Sequence, residues 1–149
     1  FFNDYITLIA PVNHAWSVRP SILPEDLLGE RLITRETESG TRRMMLAELA
    51  KHDIRLDDLN VLMTLGNTEA IVHTVAAGYG VAFVSQLAAE CCLNQGKIIE
   101  VPIPELDLKR GVYMMRPKMD NSHRAQEVFW SFIHDPENED LIRLAEIHQ

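Results

Sequence analysis

The fold is decided by residues 60–85, which read NVLMTLGNTEAIVHTVAAGYGVAFVS. The first six residues are nearly all apolar, which is typical of a short strand covered on both faces. Asn67 or Thr68 then caps a helix with apolar residues at helical spacing, and Gly78 ends that helix. Residues 81–84 are again apolar. The stretch therefore predicts a strand, a helix, a tight glycine turn and a second strand.

The same alternation continues on both sides of this stretch. Further strands are predicted at 5–10, 31–35, 97–101 and 111–115, and helices from Ser39 to about Lys51, from Ser85 to Leu93, from Asn121 or Ser122 to His134, and over about 139–147. The first of these helices is expected to bury Met45, Leu46, Leu49 and Ala50. Short strands that alternate with longer helices predict an α/β sheet with parallel neighbours.

The composition is that of one ordinary domain, or of one lobe with part of another. The chain has 149 residues, is 46% hydrophobic and 24% charged, and has a formal net charge of −8. Nucleic-acid binding draws on Lys and Arg, so this acidic chain is not expected to bind DNA by itself. No apolar run is long enough to span a membrane. The first residue is Phe1, so we expect a boundary within a longer gene product.

Two cysteines, Cys91 and Cys92, are adjacent in the sequence. Neighbouring cysteines in a helix rarely bond to each other, so plain thiols in a reducing, cytoplasmic setting are expected. The six histidines show no short spacing of the kind that holds a metal. No metal site and no cofactor are therefore predicted.

Three strand-to-helix junctions, at 35–41, 65–68 and 84–85, carry small hydroxyl or amide side chains. In an open α/β sheet, ligands bind beyond the carboxyl ends of the strands, where helix N-termini converge. The unpaired N–H groups and the helix dipole there favour a carboxylate or another anion. The three junctions together predict a shared pocket for a small anion.

Each junction also has a purely structural interpretation. Ser, Thr and Asn are ordinary helix caps that need no ligand, and Glu38 and Glu69 would repel an anion nearby. Arg42 and Arg43 lie in a first helical turn, where cations are unfavourable, so they serve a ligand, a partner or an ordinary surface. Ser39 is not in a Gly-x-Ser-x-Gly elbow and has no visible His and acid partners, so an enzyme is not predicted.

Four stretches of the sequence together allow a family to be identified, because their order and spacing are more specific than any one of the stretches alone. They are YITLIAPVNH at 5–14, PEDLLGERLITRETESGTR at 24–42, the segment 66–85 quoted above, and RGVYMMRP at 110–117. From about residue 6 to residue 133, the chain resembles the effector-binding domain of LysR-type bacterial transcription regulators.

The resemblance implies a periplasmic-binding-protein-like fold of type II, in which two α/β lobes hold a small metabolite in the cleft between them. It assigns 1–12 to a crossover strand from the first lobe, 13–110 to a complete second lobe, and 111–149 to the return crossover and the C-terminal helices of the first lobe. The ligand-binding residues that it implies are Ser39, Thr41, Asn67, Thr68, Val84 and Ser85, all at the junctions named above.

The resemblance also implies partners. The effector would be small and anionic, and DNA would be bound only through an N-terminal winged helix-turn-helix that these 149 residues do not contain. Residues of helix 122–134 would pack on the part of the first lobe that is absent. We therefore expect a second copy of the chain, the terminal helix or another fragment to cover the apolar stripe Ala125, Val128, Phe129, Phe132 and Ile133.

Two other functions remain as alternatives. A solute-binding protein of a transport system shares the same architecture, and a secretion signal in the full gene would favour it. A small α/β enzyme would need an activated nucleophile or an acid and base pair in the cleft, for which the sequence offers no candidate.

Overall fold

A computed structural model describes residues 2–113, 115 and 124–138. Within these residues the strands are β1 (Phe2–Pro11), β2 (Arg31–Arg35), β3 (Asn60–Leu65), β4 (Val81–Ser85), β5 (Ile98–Val101) and β6 (Lys109–Val112). The α-helices are α1 (Gly40–Ala50), α2 (Thr68–Ala76), α3 (Gln86–Asn94) and α4 (Arg124–Ile133). Short 3-10 helices cover Ala15–Val18, Pro24–Gly29, Leu56–Asp58 and Pro136–Asn138. The helix predicted at about 139–147 lies outside the described residues.

The chain divides into two compact units. One comprises residues 5–109 and contains β2 to β5, α1 to α3 and most of β1. The other comprises residues 1–4 and 110–149, of which 2–4, 110–113, 115 and 124–138 are described. Among the helices of the described part, none is both long and apolar enough to cross a membrane.

The sheet has the strand order β3-β2-β4-β1-β5, and β6 also pairs with β1. β2 is parallel to both β3 and β4, as the alternation predicted. β1 differs, because it runs antiparallel to both of its neighbours β4 and β5. β4 and β5, which α3 connects, do not pair with each other, because β1 lies between them in the sheet. The sheet is therefore mixed, and the α/β class is confirmed.

An apolar layer covers each face of this sheet. The layer beneath α1 consists mainly of Ile6, Leu8, Ala10, Trp16, Ile22, Leu27, Leu32, Met45, Leu49, Val81, Phe83 and Val101. The layer beneath α2 and α3 consists of Ile9, Ile33, Ile71, Val72, Val75, Ala82, Val84, Ala89, Cys92 and Ile98. Successive residues of β1 and β4 go to opposite layers, as the pleat of a strand requires. Both faces of the central strands are therefore buried.

β3 is an edge strand, and the expected cover of both of its faces is incomplete, because its residues alternate between exposed and half-buried and none is fully buried. A register shift separates the pair Leu32–Val61 from the pair Ile33–Met63 and leaves Leu62 as an extra residue. This bulge lets Val61 pack on one apolar layer and Met63 on the other. Leu62 is 42% exposed. The apolar run thus reflects a bulged edge strand rather than a central strand.

The buried face of α1 differs from the predicted stripe. Met45 is buried as expected, but Ala50 is exposed and Glu48 is buried in its place. The Glu48 carboxylate accepts a hydrogen bond from Lys51 Nζ at 2.5 Å and another from the backbone N–H of Asp107 at 3.1 Å. Because both bonds satisfy the buried carboxylate, a charged residue is tolerated on this face and ties α1 to the loop before β6.

The turn between α2 and β4 needs its two glycines for different reasons. Gly78 has a φ of 86°, a conformation that side chains disfavour. Gly80 lies against the first residue of β2, where a Cβ would stand 2.3 Å from the backbone oxygen of Arg31. The tight turn predicted from the sequence is confirmed. The close approach of β2 and β4 depends on the missing side chain at position 80.

The second unit contains a buried ion pair. Arg110 Nε and Nη2 donate to Asp4 Oδ2 at 2.9 and 2.6 Å, and the Asp4 side chain is 3% exposed. Arg110 lies within β6, which begins at Lys109 rather than at the predicted Gly111. The apolar pattern placed this strand too late, because a charged pair rather than an apolar side chain fixes its start.

α4 exposes an apolar face. Val128, Phe129 and Phe132 are 63%, 56% and 52% exposed, and with Arg124 and Ala125 they line an open groove. Of the predicted stripe, Ala125, Val128, Phe129 and Phe132 line this groove, whereas Ile133 is buried. What covers the stripe remains a prediction, and residues 121–123, where the helix was expected to begin, lie outside the described residues.

We expect Gly80→Ala to lower the free energy of unfolding by about 1–3 kcal/mol, because β2 and β4 must separate to admit a methyl group. Urea denaturation followed by circular dichroism measures this change. Gly29→Ala is the control, since a Cβ at position 29 meets nothing within 4 Å. Equal losses in the two variants would contradict the close-approach explanation.

Glu48→Gln should remove a pH-dependent part of the stability. The hydrogen bond from Lys51, and to a smaller extent that from Asp107, lowers the pKa of Glu48 from its ordinary value of 4.5. A carboxyl whose pKa is lowered by folding stabilises the fold above the unfolded pKa and loses that contribution as the pH falls through the folded pKa. At pH 7 we expect the variant to be about 1 kcal/mol less stable than the wild type.

The difference in stability between the wild type and Glu48→Gln should narrow as the pH falls below 4.5. Urea denaturation at several pH values between 7 and 3 measures this change. Glu105→Gln, at an exposed position, provides the control for the loss of one negative charge. A difference between wild type and Glu48→Gln that does not change with pH would show that the charge of Glu48 is not responsible.

Candidate functional site

The three junctions predicted to form a pocket lie at one edge of the sheet. β2, β3 and β4 run parallel, so their last residues Arg35, Leu65 and Ser85 reach the same edge. α1, α2 and α3 begin directly beyond these strands. The antiparallel β1 reaches this edge as well, since its Ile6 pairs with Ser85. We call this region the carboxyl edge.

The first junction contains buried serine and threonine residues. Ser39 and Thr41 are 7% and 6% exposed, and Thr34, within β2, is 3% exposed. Ser39 occupies the N-cap position of α1, but its side chain makes no capping hydrogen bond. Capping therefore does not explain the hydroxyl of Ser39. Thr34 was not predicted as part of this group, because its position within a strand gave no sign of a junction role.

Arg42 and Arg43 hold the loop of this junction. Arg42 Nη1 donates to the backbone oxygen of Arg35 at 3.1 Å, and Arg43 Nη1 donates to that of Glu38 at 2.7 Å. These two bonds explain why cations occupy the first turn of α1. A structural role accounts for both arginines without a ligand.

The second junction links α2 to β2. Asn67 Oδ1 accepts a hydrogen bond from the backbone N–H of Ala70 at 2.9 Å, so Asn67 is a conventional N-cap. Thr68 Oγ1 accepts a hydrogen bond from Arg35 Nη1 at 2.5 Å. Of the two predicted site residues here, one stabilises the helix start and the other contacts the end of the neighbouring strand.

At the third junction the two predicted residues differ in exposure. Val84 is 0% exposed and packs in the layer beneath α2 and α3, so neither its side chain nor its backbone is accessible to a ligand in this structure. Ser85 is half-buried at the N-cap position of α3, and its side chain makes no capping hydrogen bond. The side chain of Val84 therefore serves the core, whereas Ser85 lies at the carboxyl edge.

A polar cluster beside β4 was missed in the sequence. Thr7, which pairs with Val84, donates from Oγ1 to Glu100 Oε1 at 2.6 Å. Gln86 Nε2 donates to the two Glu100 oxygens at 3.4 and 3.5 Å. The available signal was Thr7 itself, a buried hydroxyl inside the apolar run of β1.

Arg35 is a cation at the carboxyl edge that the sequence pattern did not single out. Its Nε and Nη2 donate to the two carboxylate oxygens of Glu36, each at 2.8 Å. These bonds lower the pKa of Glu36 and raise that of Arg35. The signal in the sequence was an arginine at the last position of β2, directly before the loop of the first junction.

The carboxyl edge thus combines hydroxyl groups with the guanidinium groups of Arg35, Arg42 and Arg43, of which the last two hold the backbone of the first junction. Hydroxyls and N–H groups can hydrogen-bond a small polar molecule, and a guanidinium fork can neutralise a carboxylate or phosphate. In the part of the chain that the structure describes, no group of three or more His, Cys, Asp or Glu side chains could hold a metal ion. The side chains at this edge can therefore hydrogen-bond a small polar or anionic molecule.

A family model described as the LysR substrate binding domain matches residues 1–136. Among curated proteins, the chain is 35% identical over 130 residues to an uncharacterised HTH-type transcriptional regulator of Methanocaldococcus jannaschii, covering 87% of the chain and 44% of that protein. It is 30% identical over 151 residues to a probable RuBisCO transcriptional regulator of Nostoc sp., covering 98% of the chain and 45% of that protein. The chain therefore spans less than half the length of these relatives.

Similar structures have been solved. The regulatory domain of Synechocystis CcmR in complex with 2-PG superposes with a TM-score of 0.68 at 22% identity, covering 89% of this chain and 62% of that one. The effector binding domain of QuiR in complex with shikimate gives a TM-score of 0.63 at 18% identity, covering 73% of this chain and 49% of that one.

The fold of these domains accounts for the mixed sheet and the helices on its two faces. The expected periplasmic-binding-protein-like fold of type II is confirmed. With residues 1–136 of its 149 matched by the family model, the chain belongs to the family of LysR substrate binding domains.

Proposed function

We propose that this chain is the sensor domain of a LysR-type transcription regulator and binds a small anionic effector at the carboxyl edge. The observation that carries the proposal is Ser39, a residue only 7% exposed that occupies the N-cap position of α1 while its side chain makes no capping hydrogen bond. Thr41 is buried beside it in sequence, and Arg35 supplies a positive charge at the same edge. The presence of shikimate, a carboxylate, in the similar QuiR domain supports an anionic ligand.

The mechanism would be a shift between two arrangements of the domain. An effector can move such an equilibrium only as far as it binds one arrangement better than the other. The carboxyl edge supplies one set of contacts for the effector, and the remainder would come from the facing lobe. The preferred arrangement would then be passed through the oligomer to the DNA-binding part of the regulator.

The lobes follow from this proposal. Residues 13–110 would form the second lobe, with 1–12 as the strand that enters it from the first lobe. Residues 111–149 would form the return strand and the C-terminal helices of the first lobe. The division of the chain into compact units at residues 5–109 and at 1–4 with 110–149 is compatible with these bounds.

The partners follow as well. DNA would be bound by a winged helix-turn-helix outside these 149 residues, in the cytoplasm. Copies of the chain would associate through the helix at 122–134, and the exposure of Val128, Phe129 and Phe132 supports an interface there. The regulators found among the relatives favour this function over solute transport and over catalysis, so we propose a domain that is not an enzyme.

A ligand screen by thermal unfolding tests the proposed function. The panel contains small carboxylates, phosphates and sulfur metabolites, including 2-PG and shikimate. A ligand that binds only the folded state stabilises it by about 2.7 kcal/mol at a hundredfold excess over its dissociation constant. We expect at least one anion to raise the midpoint of unfolding, and Thr68→Val to reduce that rise. A chain whose unfolding no member of the panel affects would contradict an effector site at this edge.

Two alanine variants separate ligand binding from helix capping. Asn67→Ala should cost about 1 kcal/mol of stability, because it removes a capping hydrogen bond. Ser39→Ala should cost less than about 0.5 kcal/mol, because it removes no such bond, yet it should weaken binding of the anion found in the screen. Urea denaturation and titration of the anion measure the two effects. A Ser39→Ala protein that is destabilised but binds normally would assign Ser39 to the fold.

A further inference from the structure

Arg35 joins the first two junctions through its side chain. On one side, Nε and Nη2 donate to the two oxygens of the Glu36 carboxylate, each at 2.8 Å. On the other side, Nη1 donates to Thr68 Oγ1 at 2.5 Å, so the start of α2 holds the guanidinium in place. Arg35 is therefore oriented by Thr68 and carries a carboxylate on its fork.

The contact between Arg35 and Glu36 has the geometry of ligand recognition. Two parallel N–H···O bonds between a guanidinium and a carboxylate are the arrangement by which arginine binds carboxylates and phosphates in general. Glu36 belongs to the loop between β2 and α1, next to the strand residue that it neutralises. A carboxylate from outside the chain would make the same two bonds if Glu36 turned away.

The energetic cost of such an exchange is small. The side chains of Arg35 and Glu36 are 20% and 35% exposed, so the pair is partly solvated rather than sealed in the core. Ion pairs near the surface contribute little, because both partners are well hydrated when they separate. An anion that also bonds to the hydroxyls at this edge would therefore displace Glu36, whereas the bond between Arg35 and Thr68 can persist.

We propose that Arg35 binds the anionic group of the effector and that Glu36 is a built-in competitor, which occupies Arg35 until the effector replaces it. This inference rests on the proposed function and adds to it the group that is recognised and the residue that weakens its binding. A carboxylate or a phosphate monoester can accept both hydrogen bonds from the Arg35 guanidinium as an ion pair, whereas a neutral molecule of the same shape cannot. Glu36 thereby sets the effector concentration at which the site fills.

The test uses the 149-residue chain labelled with ¹⁵N, with inorganic phosphate and acetate as probes, at constant ionic strength. Backbone amide signals of Glu36 and Thr68 report occupancy at Arg35. Because Glu36→Gln removes the competing carboxylate, we expect it to tighten binding of both probes about two- to fivefold. Arg35→Met should weaken binding about two- to fivefold, because a partly exposed charged fork is lost.

Two controls isolate competition from general electrostatics. Glu38→Gln removes the same charge from the same loop, and Glu38 is exposed, so we expect its effect to stay below about 1.5-fold. Acetamide is the neutral counterpart of acetate, and Glu36→Gln should not change its binding. Because Glu36→Gln removes only a partly exposed ion pair, this variant tests the proposal even if Arg35→Met fails to fold.

The outcomes separate this inference from the proposed function. Equal binding of the probes to the wild type, Glu36→Gln and Glu38→Gln overturns the competitor role of Glu36, even where the metabolite screen finds a ligand. Absence of probe binding in every variant overturns the anion role of Arg35. The proposed function fails on a different result, which is a chain whose thermal unfolding no anionic metabolite of the panel affects.

Discussion

The parallel pairing of β2 with β3 on one side and β4 on the other is the constraint on which the carboxyl edge depends. It makes three strands end together, so that the loops leading into α1, α2 and α3 meet although they are distant in sequence. β2 can approach β4 in this way because Gly80 has no side chain to strike the backbone of Arg31. β2 also ends in Arg35, whose side chain reaches Thr68 at the start of the helix that follows β3. Sheet geometry and site chemistry are therefore set by the same strand.

Much of the fold could be predicted from the alternation of apolar runs and capping residues. β2 and α2 were predicted closely, because glycine or capping residues mark their ends. The predictions failed where the pairing between strands decides the structure, because the sequence of one strand does not reveal its partners. The bulge at Leu62 turned an apolar run into an edge strand, and β1 was inserted antiparallel between strands that follow it in the chain. Ala50 was predicted on the buried face of α1 where Glu48 lies instead, because the contact of Glu48 with Asp107 is set by tertiary structure.

The candidate site was predictable in place but not in detail. Parallel strands alone require the junctions to share an edge, so the region could be located before any side chain was positioned. The roles of Ser39 and Asn67 could not be distinguished, because both residues suit a helix start, and only the hydrogen bonds show that Asn67 caps and the Ser39 side chain does not. Arg35 was overlooked since a strand-terminal arginine is usually solvated, and its fork to Glu36 depends on the conformation of the loop.

The bulge in β3 has a consequence beyond packing. An edge strand presents unpaired N–H and C=O groups, and a regular apolar edge invites strands of other molecules to add to the sheet. The extra residue at Leu62 breaks the regular spacing of those groups midway along β3 and increases the local twist. A foreign strand could then follow only a few residues before losing register. The bulge at Leu62, which the sequence did not predict, therefore also hinders the addition of strands from other molecules and so opposes aggregation.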